Sequence, residues 1–397
     1  MPTFYNFREN GLDYSFDDVF VPADLFRDGN LFTWGSGNSG QLGDNTVTRK
    51  STPVTTFAGG TNWKQVSGGG NFSAAIKTDG TLWTWGSGGS GQLGDNTVTT
   101  KSTPVTTFAG GTNWKQVSVG PNHCAAIKTD GTLWTWGRGL YGALGTNDTT
   151  NRRTPVTTFA GGTNWKQVSA GGTASAAICT AIKTDGTLWI WGSGSSGQLG
   201  DNTETTKSTP VTTFAGGTNW KQVSAGGKYT AAIKTDGTLW TWGYGAKGQL
   251  GDNTIDNKST PVTTFAGGTN WKQVSGGNLH CAAIKTDGTL WTWGYGSSGQ
   301  LGDNTVTRKS TPVTTFAGGT NWKQVSSGNA QCAAIKTDGT LWTWGSNQYG
   351  RLGDNTIDNK STPVTTFAGG TNWKQVGSGG GNGTHFAAVT YIDSVLL

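Results

Sequence analysis

Two His-Cys dipeptides, His123-Cys124 and His280-Cys281, have the residue types of a thiol nucleophile and its base. Such chemistry requires the imidazole within hydrogen-bonding distance of the sulfur. Adjacent residues of a strand point to opposite faces of a sheet, so neither dipeptide can form that contact by itself. Equivalent segments elsewhere in the chain carry phenylalanine, alanine, tyrosine or glutamine in place of the histidine. We therefore predict no catalytic residue and a protein that is not an enzyme.

The four cysteines favour free, half-buried thiols. Cys124, Cys281 and Cys332 occupy the same position in three copies of a repeated segment, and Cys179 lies in an insertion within a fourth copy. Residues at one position of different repeats should lie in separate structural units, out of disulfide range. Disulfides or a metal site are the alternative.

A Gly-Asp-Asn-Thr segment, first found at residues 43–46, recurs in six of seven repeats. Calcium binds such oxygen ligands, but the segment lacks the dense ligand spacing of a calcium loop. An Asx turn that fixes the loop is the simpler explanation. Gly-rich stretches such as residues 68–70 do not lead from a strand into a helix, which argues against a phosphate-binding loop. We predict no metal and no cofactor.

The element that positions these residues is a hairpin. In residues 74–86 two alternating runs of apolar residues flank Asp79-Gly80, and an Asp-Gly between such runs is a strong hairpin signal. Its glycine recurs every 51 residues, except for one step of 55, at Gly29, Gly80, Gly131, Gly186, Gly237, Gly288 and Gly339. A period of this length over most of the chain predicts one repeat architecture and not several separate domains.

Each repeat contains four predicted strands, for example residues 63–67, 73–77, 81–86 and 103–107. Pro104 in the fourth fits only an edge strand, because proline cannot donate to a ladder. The count predicts an all-β, seven-bladed β-propeller of four-stranded antiparallel blades over residues 28–397. The first predicted strand, residues 31–35, has the pattern of the third strand of a blade, and the last, residues 386–391, has the pattern of the second. One blade must therefore combine two strands from the C-terminal end with two from the N-terminal end. The 20 tryptophans lie at repeat positions and are predicted to pack in and between the blades.

The repeat also has a family resemblance. The unit Val-Ser-x-Gly-x-x-His-x-Ala-Ala-Ile-x-x-Asp-Gly-x-Leu-x-x-Trp-Gly, followed by Gly-Gln-Leu-Gly and a proline as in residues 274–312, resembles the regulator-of-chromosome-condensation repeat. This resemblance implies a seven-bladed propeller. It implies little about activity, because that family includes nucleotide-exchange factors, a plant ultraviolet receptor, enzyme inhibitors and many bacterial and viral members.

The seven repeats differ from one another in two loops. These connect the first to the second strand and the third to the fourth strand, and antiparallel pairing places both on one side of the disc, the variable face. The Asp-Gly turns and the Phe-Ala-Gly-Gly-Thr-Asn loops, such as residues 57–62, recur with little change on the opposite side, the uniform face. The insertion Cys179 to Ile182 explains the 55-residue step and predicts a bulge or a longer hairpin in one blade.

Aromatic and basic residues on Gly/Ser/Asn-rich loops are typical of binding surfaces. The alternative is neutral drift in tolerant loops. We predict that the variable face binds a partner through residues that differ between repeats, namely Phe72, His123, Arg138, Tyr141, Tyr229, Tyr244, His280, Tyr295, Tyr349, Arg351 and His385.

Residues 1–27, the leader, differ from the rest of the chain. Aromatic residues alternate there with acidic ones, which is typical of a segment that lies extended on another surface. We predict that the leader is a docking arm, placed across its own disc or in a partner assembly, with candidate contacts Tyr5, Phe7, Tyr14, Phe16 and Phe20. The leader and the near-identical repeats together resemble repeat proteins of phages that infect cyanobacteria, which suggests a virion location.

Charge and hydropathy restrict the partners. A net charge of +6 without a run of basic residues argues against nucleic-acid binding. No apolar run has the ~20 residues of a membrane span, and the N-terminus lacks the regions of a signal peptide. We expect a non-enzymatic interaction protein whose variable face binds virion proteins or a host-surface receptor or glycan, as part of a tail, fibre or capsid decoration. The alternatives are a cellular regulator of the guanine-nucleotide exchange type, or an enzyme or inhibitor that uses the disc centre.

Overall fold

The structure, a computed structural model, describes residues 28–378 and 383–391. In these residues the single helical segment is a 3-10 turn over Leu140–Gly142, and everything else is strand, turn or loop. The strands of the first half are β1 Asp28–Gly35, β2 Lys50–Thr55, β3 Trp63–Gly68, β4 Phe72–Lys77, β5 Leu82–Gly86, β6 Lys101–Thr106, β7 Trp114–Val119, β8 His123–Lys128, β9 Leu133–Gly137, β10 Arg152–Thr157, β11 Trp165–Thr173, β12 Ala176–Lys183, β13 Leu188–Gly192 and β14 Lys207–Thr212. Those of the second half are β15 Trp220–Ala225, β16 Tyr229–Lys234, β17 Leu239–Gly243, β18 Lys258–Thr263, β19 Trp271–Gly276, β20 His280–Lys285, β21 Leu290–Gly294, β22 Lys309–Thr314, β23 Trp322–Ser327, β24 Gln331–Lys336, β25 Leu341–Gly345, β26 Lys360–Thr365, β27 Trp373–Gly377 and β28 His385–Tyr391.

These strands form seven antiparallel blades of four. Blade 1 is β3–β6, blade 2 is β7–β10, blade 3 is β11–β14, blade 4 is β15–β18, blade 5 is β19–β22 and blade 6 is β23–β26. The Pro-containing fourth strand is the outer edge of each sheet, as its missing N–H requires. The predicted seven-bladed propeller is confirmed.

The seventh blade joins the two ends of the described chain. Its order is β27-β28-β1-β2, and β28 pairs with β1 in a register that sets Val389 opposite Leu31 and Phe386 opposite Trp34. This closing blade was predicted from the strand count. It fastens the ring by main-chain hydrogen bonds, since the four cysteines are free and buried.

A ring of glutamines binds the innermost strands to one another. The Gln65 side chain donates to the carbonyl of Val117 at 3.2 Å and accepts from the Val117 N–H at 3.1 Å, which bridges blades 1 and 2. The same bridge occurs at every junction, and Gln375 completes it by contacting Val66 from the closing blade. Each bridge satisfies two main-chain groups, worth about 1 kcal/mol per bond.

Tryptophans fill the blades. In blade 1, Trp63 packs edge-on against Trp83 and Trp85, and the Lys77 ammonium lies 4.7 Å from the centres of the first two rings. The Trp85 indole N–H donates to the carbonyl of Gln41 in the preceding blade. The strand-one tryptophans and those of the Trp85 type are buried, and those of the Trp83 type are half-buried, so the predicted structural role of the rings is confirmed.

The Asp-Gly turn needs its glycine. Gly80 has φ +79°, and a Cβ there would lie 2.1 Å from the carbonyl oxygen of Thr112. Asp79 accepts hydrogen bonds from the N–H and hydroxyl of Thr81, and these bonds lower the pKa of its carboxyl. The turn is therefore fixed by local chemistry that recurs around the uniform face.

Candidate functional site

Six of the predicted contact residues are buried, so the prediction that they form part of a binding surface is wrong. Phe72, His123, Tyr229, His280 and His385 each begin the second strand of a blade, and all are 0% exposed. That strand is interior in its sheet and is covered by the neighbouring blades on both sides. A position beside a loop in sequence is therefore enclosed in the fold.

Arg351 is the sixth, at 5% exposed. It replaces the glutamine of the Gly-Gln-Leu-Gly segment, and its carbonyl accepts a hydrogen bond from the Trp34 indole. Its guanidinium lies 5.0 Å from the ring centre of Tyr349, and burial lowers the pKa of the guanidinium. Arg351 therefore supports the blade junction and is not a surface cation.

The three histidines are neutral structural residues. Burial lowers the pKa of His123 and His280 to about 4, and burial with the nearby Arg351 charge lowers that of His385 to about 3. The His385 Nε2 lies 2.6 Å from the Ser73 hydroxyl of the next blade.

One thiol and one imidazole do meet, but across a blade junction. His280 Nε2 lies 3.1 Å from Cys332 Sγ. The contact therefore joins two blades and is not made within the His280-Cys281 dipeptide. Burial raises the pKa of Cys332 to about 12, and both side chains are 0% exposed. A protonated thiol without solvent access cannot act as a nucleophile. The residues lie one repeat plus one position apart, a spacing from which the contact could have been found.

The remaining predicted residues, Arg138, Tyr141, Tyr244, Tyr295 and Tyr349, are partly exposed on the variable face. We call this set the Tyr/Arg arc. Its members come from the long loops of blades 2, 4, 5 and 6, and blade 1, blade 3 and the closing blade carry serine at the matching positions.

Neighbouring loops of the arc contact one another. The Lys247 ammonium of blade 4 lies 5.3 Å from the ring centre of Tyr295 in blade 5. Such a cation–π contact is worth about 0.5–1 kcal/mol at an exposed site. Tyr244 and Tyr295 therefore belong to one surface that also includes a lysine, which sequence reasoning missed.

The insertion Cys179 to Ile182 lengthens a hairpin, which is one of the two outcomes predicted from the sequence. Strands β11 and β12 extend until Thr173 pairs with Ala176, beyond the point where the other blades turn. Arg138 of blade 2 donates to the carbonyl of Ala174 at the hairpin tip, at 3.3 Å. The hairpin thus lies beside the arc and is held by one of its residues.

Tyr141 has a strained backbone, with φ +61°. In five of the other six repeats the glutamine side chain of Gly-Gln-Leu-Gly accepts a hydrogen bond from the N–H two residues earlier, as Gln92 does from Ser90. In blade 2 that glutamine is Ala143, so the acceptor is missing. The left-handed conformation is found at Tyr141 and not at Tyr349, the tyrosine that occupies the same position in blade 6.

Two alternatives lack support in the described residues. The Gly-Asp-Asn-Thr segments are Asx turns, in which Thr46 N–H donates to Asp44 Oδ1 at 3.1 Å, and no group of three or more His, Cys, Asp or Glu side chains is placed to hold a metal. The axial cavity, about 80 Å³, is lined by serines with valine, alanine and glycine and contains no acid, base or thiol. No helix in the described part of the chain is long and apolar enough to cross a membrane.

The regulator of chromosome condensation (RCC1) repeat matches this chain seven times, at residues 28–76, 79–127, 130–178, 185–233, 236–284, 287–335 and 338–384. The chain is a member of the RCC1-repeat family. It is similar to the ultraviolet-B receptor UVR8 of Arabidopsis thaliana, with 31% identity over 81% of this chain and 74% of UVR8. It is also similar to the mitochondrial RCC1 domain-containing protein RUG3 of the same plant, with 29% identity over 81% of this chain and 79% of RUG3.

Among solved structures, Prp20p from Saccharomyces cerevisiae has the same RCC1-repeat fold, with a TM-score of 0.77 over 92% of each chain. Sequence identity is 18%, so this likeness concerns the fold alone. The chain is therefore an RCC1-type propeller, an interaction-type protein.

Proposed function

We propose that this chain is a non-enzymatic propeller that binds a protein partner through the Tyr/Arg arc. The observation that carries the proposal is that these large, partly exposed side chains lie at matching positions in the long loops of blades 2, 4, 5 and 6 of an otherwise copied framework. Neutral drift would place serine, asparagine or lysine in these loops more often than tyrosine.

The arc is also held in place before any partner arrives. Lys247 stacks on Tyr295, Arg138 contacts the hairpin tip, and Tyr141 is fixed in an unusual backbone conformation. Pre-organised aromatic and arginine side chains lose little entropy on binding, which is why they dominate protein interfaces.

The type of partner is supported by the family. The structure of Prp20p was reported with its binding properties to Gsp1p and histones, which are proteins. For this chain we propose virion proteins or a host-surface receptor or glycan, at a virion location, on the resemblance of its leader and repeats to those of cyanobacterial phages. The relatives named above are cellular proteins, so nucleotide exchange on a GTPase is the alternative.

A reset variant tests the arc. Tyr244→Ser and Tyr295→Ser introduce the serine that blades 1, 3 and 6 and the closing blade already carry at this position. Tyr349→Ser does the same at its own position, where blades 1, 3 and 5 and the closing blade carry serine. Proteins captured by the wild type should bind this variant at least about 30-fold more weakly, because truncated hot-spot residues cost about 2 kcal/mol or more. The matched control is Phe214→Ser on the uniform face. If wild type and reset variant bind the same proteins equally well, the proposal is wrong.

Location and mechanism need separate measurements. Mass spectrometry of purified phage particles should detect the chain among the structural proteins, and its absence would exclude the virion location. A nucleotide-exchange assay on GTPases of the host should show no acceleration. Acceleration would establish the alternative.

A further inference from the structure

The uniform face carries a rim of exposed phenylalanines. One phenylalanine per repeat follows the outermost strand, and the seven are 65–67% exposed; they are Phe57, Phe108, Phe159, Phe214, Phe265, Phe316 and Phe367. The rim therefore offers one apolar contact per blade to an occupant of this face.

A ring of lysines lies inside this rim. Each innermost strand begins with a buried tryptophan followed by a lysine, and six of these lysines are exposed, namely Lys64, Lys115, Lys166, Lys221, Lys272 and Lys323. Blades 1 to 6 each place three charged residues on this face, which in blade 1 are the exposed lysine Lys64, the tryptophan-stacked lysine Lys77 and the turn aspartate Asp79. The face therefore has a net charge of about +6, which favours an acidic occupant.

A cavity opens at one junction of the same face. It has about 220 Å³ and lies between the closing blade and blade 1, where it is lined by Asn30, Leu31, Thr55, Thr56 and Trp63 with two glycines. A cavity of about 150 Å³ holds a benzene molecule, so this one, with its mixed polar and apolar lining, has room for an aromatic ring. The hydroxyl of Thr56 is buried without a hydrogen-bond partner, as it is at the equivalent threonine of every blade.

The leader has the matching chemistry and joins the propeller at this place. Residues 1–27 contain five acidic, two basic and seven aromatic residues, a net charge of −3. Strand β1 starts at Asp28, in the Asp-Gly position of the uniform face, two residues before Asn30, which lines the cavity. At about 3.3 Å per extended residue, 27 residues can reach about 90 Å, enough to cross the disc.

We propose that the leader lies on the uniform face of its own propeller. Its acidic side chains face the lysine ring, and one aromatic ring among Tyr14, Phe16 and Phe20 occupies the cavity beside Asn30. The leader thereby covers part of the phenylalanine rim. A second copy of the disc is the poorer occupant, because two faces of the same positive charge would repel each other.

Peptide binding tests this proposal. The propeller closes from Asp28 onward, so deletion of residues 1–22 leaves every described strand in place. A fluorescent peptide of residues 1–22 should bind the deletion variant and should bind the full chain at least about 100-fold more weakly, because the attached leader competes at high effective concentration. Fluorescence anisotropy measures both. Absence of binding to the deletion variant, or equal binding to both proteins, would overturn the proposal.

Two charge variants locate the site. In the deletion variant, Lys115→Glu with Lys166→Glu and Lys221→Glu should weaken peptide binding at least about tenfold, because the charge of the face is reversed locally. The matched control makes the same net change on the variable face with Arg49→Glu, Arg153→Glu and Arg308→Glu, three exposed arginines. It should change binding less than about twofold. Equal weakening by both variants would mean that net charge alone attracts the peptide and would refute the site.

Light scattering separates the leader's own disc from a neighbour's. The full chain should be a monomer at micromolar concentration, as should the deletion variant. A dimer that dissociates on deletion of residues 1–22 would show that the leader binds a second copy, against the proposal.

Discussion

Acidification between pH 7 and pH 4.5 should destabilise this propeller through its three buried histidines. His123, His280 and His385 are completely buried, and burial lowers their pKa values to about 4, 4 and 3 from an ordinary 6.5. In the unfolded chain the three histidines bind protons below about pH 6.5, whereas in the folded chain they do so only below about pH 4. The histidine contribution to stability is complete above pH 6.5 and is lost as the pH falls through this window.

The size of the effect follows from the pKa shifts. Each pKa unit corresponds to about 1.4 kcal/mol, so lowering the pH from 7 to 4.5 should cost between about 2 and 3 kcal/mol per histidine and about 7 kcal/mol in total. The turn aspartates contribute little in this range, because their pKa values lie below 3.8 and they stay ionised in the fold.

Equilibrium unfolding in guanidinium chloride at pH 7.0, 6.0, 5.0 and 4.5 measures the effect. The matched control is the triple variant His123→Phe, His280→Phe and His385→Gln, since Phe72 and Gln331 already occupy the equivalent positions. Its free energy of unfolding can differ from that of the wild type at pH 7, but it should fall by less than about 2 kcal/mol down to pH 4.5. If the triple variant loses as much stability as the wild type, burial of the histidines is not the cause.

The remaining predictions concern the framework. Gln222→Ala should lower the free energy of unfolding by about 1–3 kcal/mol, because the next blade loses two main-chain partners, whereas Lys221→Ala beside it should change it by less than about 0.5 kcal/mol; urea unfolding compares the two. Gly237→Ala should cost more than about 3 kcal/mol, because φ is +81° and a Cβ would lie 2.0 Å from the Thr269 carbonyl oxygen, whereas Gly216→Ala, with open space around it, should cost about 1 kcal/mol. Similar costs for the two alanines, measured by thermal unfolding, would contradict the steric argument. The four cysteines should resist iodoacetamide in the native protein and react fully in denaturant; a thiol that reacts quickly under native conditions would contradict its burial.

The fold could be predicted because its signals are local and repeated. Asp79-Gly80 predicts a turn, Pro104 predicts an edge strand, and the number of strands requires a closing blade made from both ends of the chain. The main error in bounds lies in the fourth strand, which begins at Lys101 and not at Thr103. A bulge in its pairing with β5, between Thr84 and Gly86, accommodates the two additional residues.

The site was predicted less well, because exposure depends on contacts between blades. His123 and Tyr229 vary between repeats as loop residues do, yet each begins an interior strand. Five of the seven glutamine bridges and the His280–Cys332 contact join positions 52 residues apart, one repeat plus one residue. Only the angle between blades brings these positions together. The leader contacts, from Tyr5 to Phe20, lie outside the described residues and stay predictions.

The closing blade also has a consequence for biosynthesis. Because β1 pairs with β28, the first strand of the described chain must remain without its inner partner until the last described strand has been translated. Blades 1 to 6 can form in order as the polypeptide emerges. During that time the closing blade consists of β1 and β2 only, and the edge of β1 that will pair with β28 has no partner. Nascent chains stalled before residue 385 should therefore be more prone to associate with one another than the released protein.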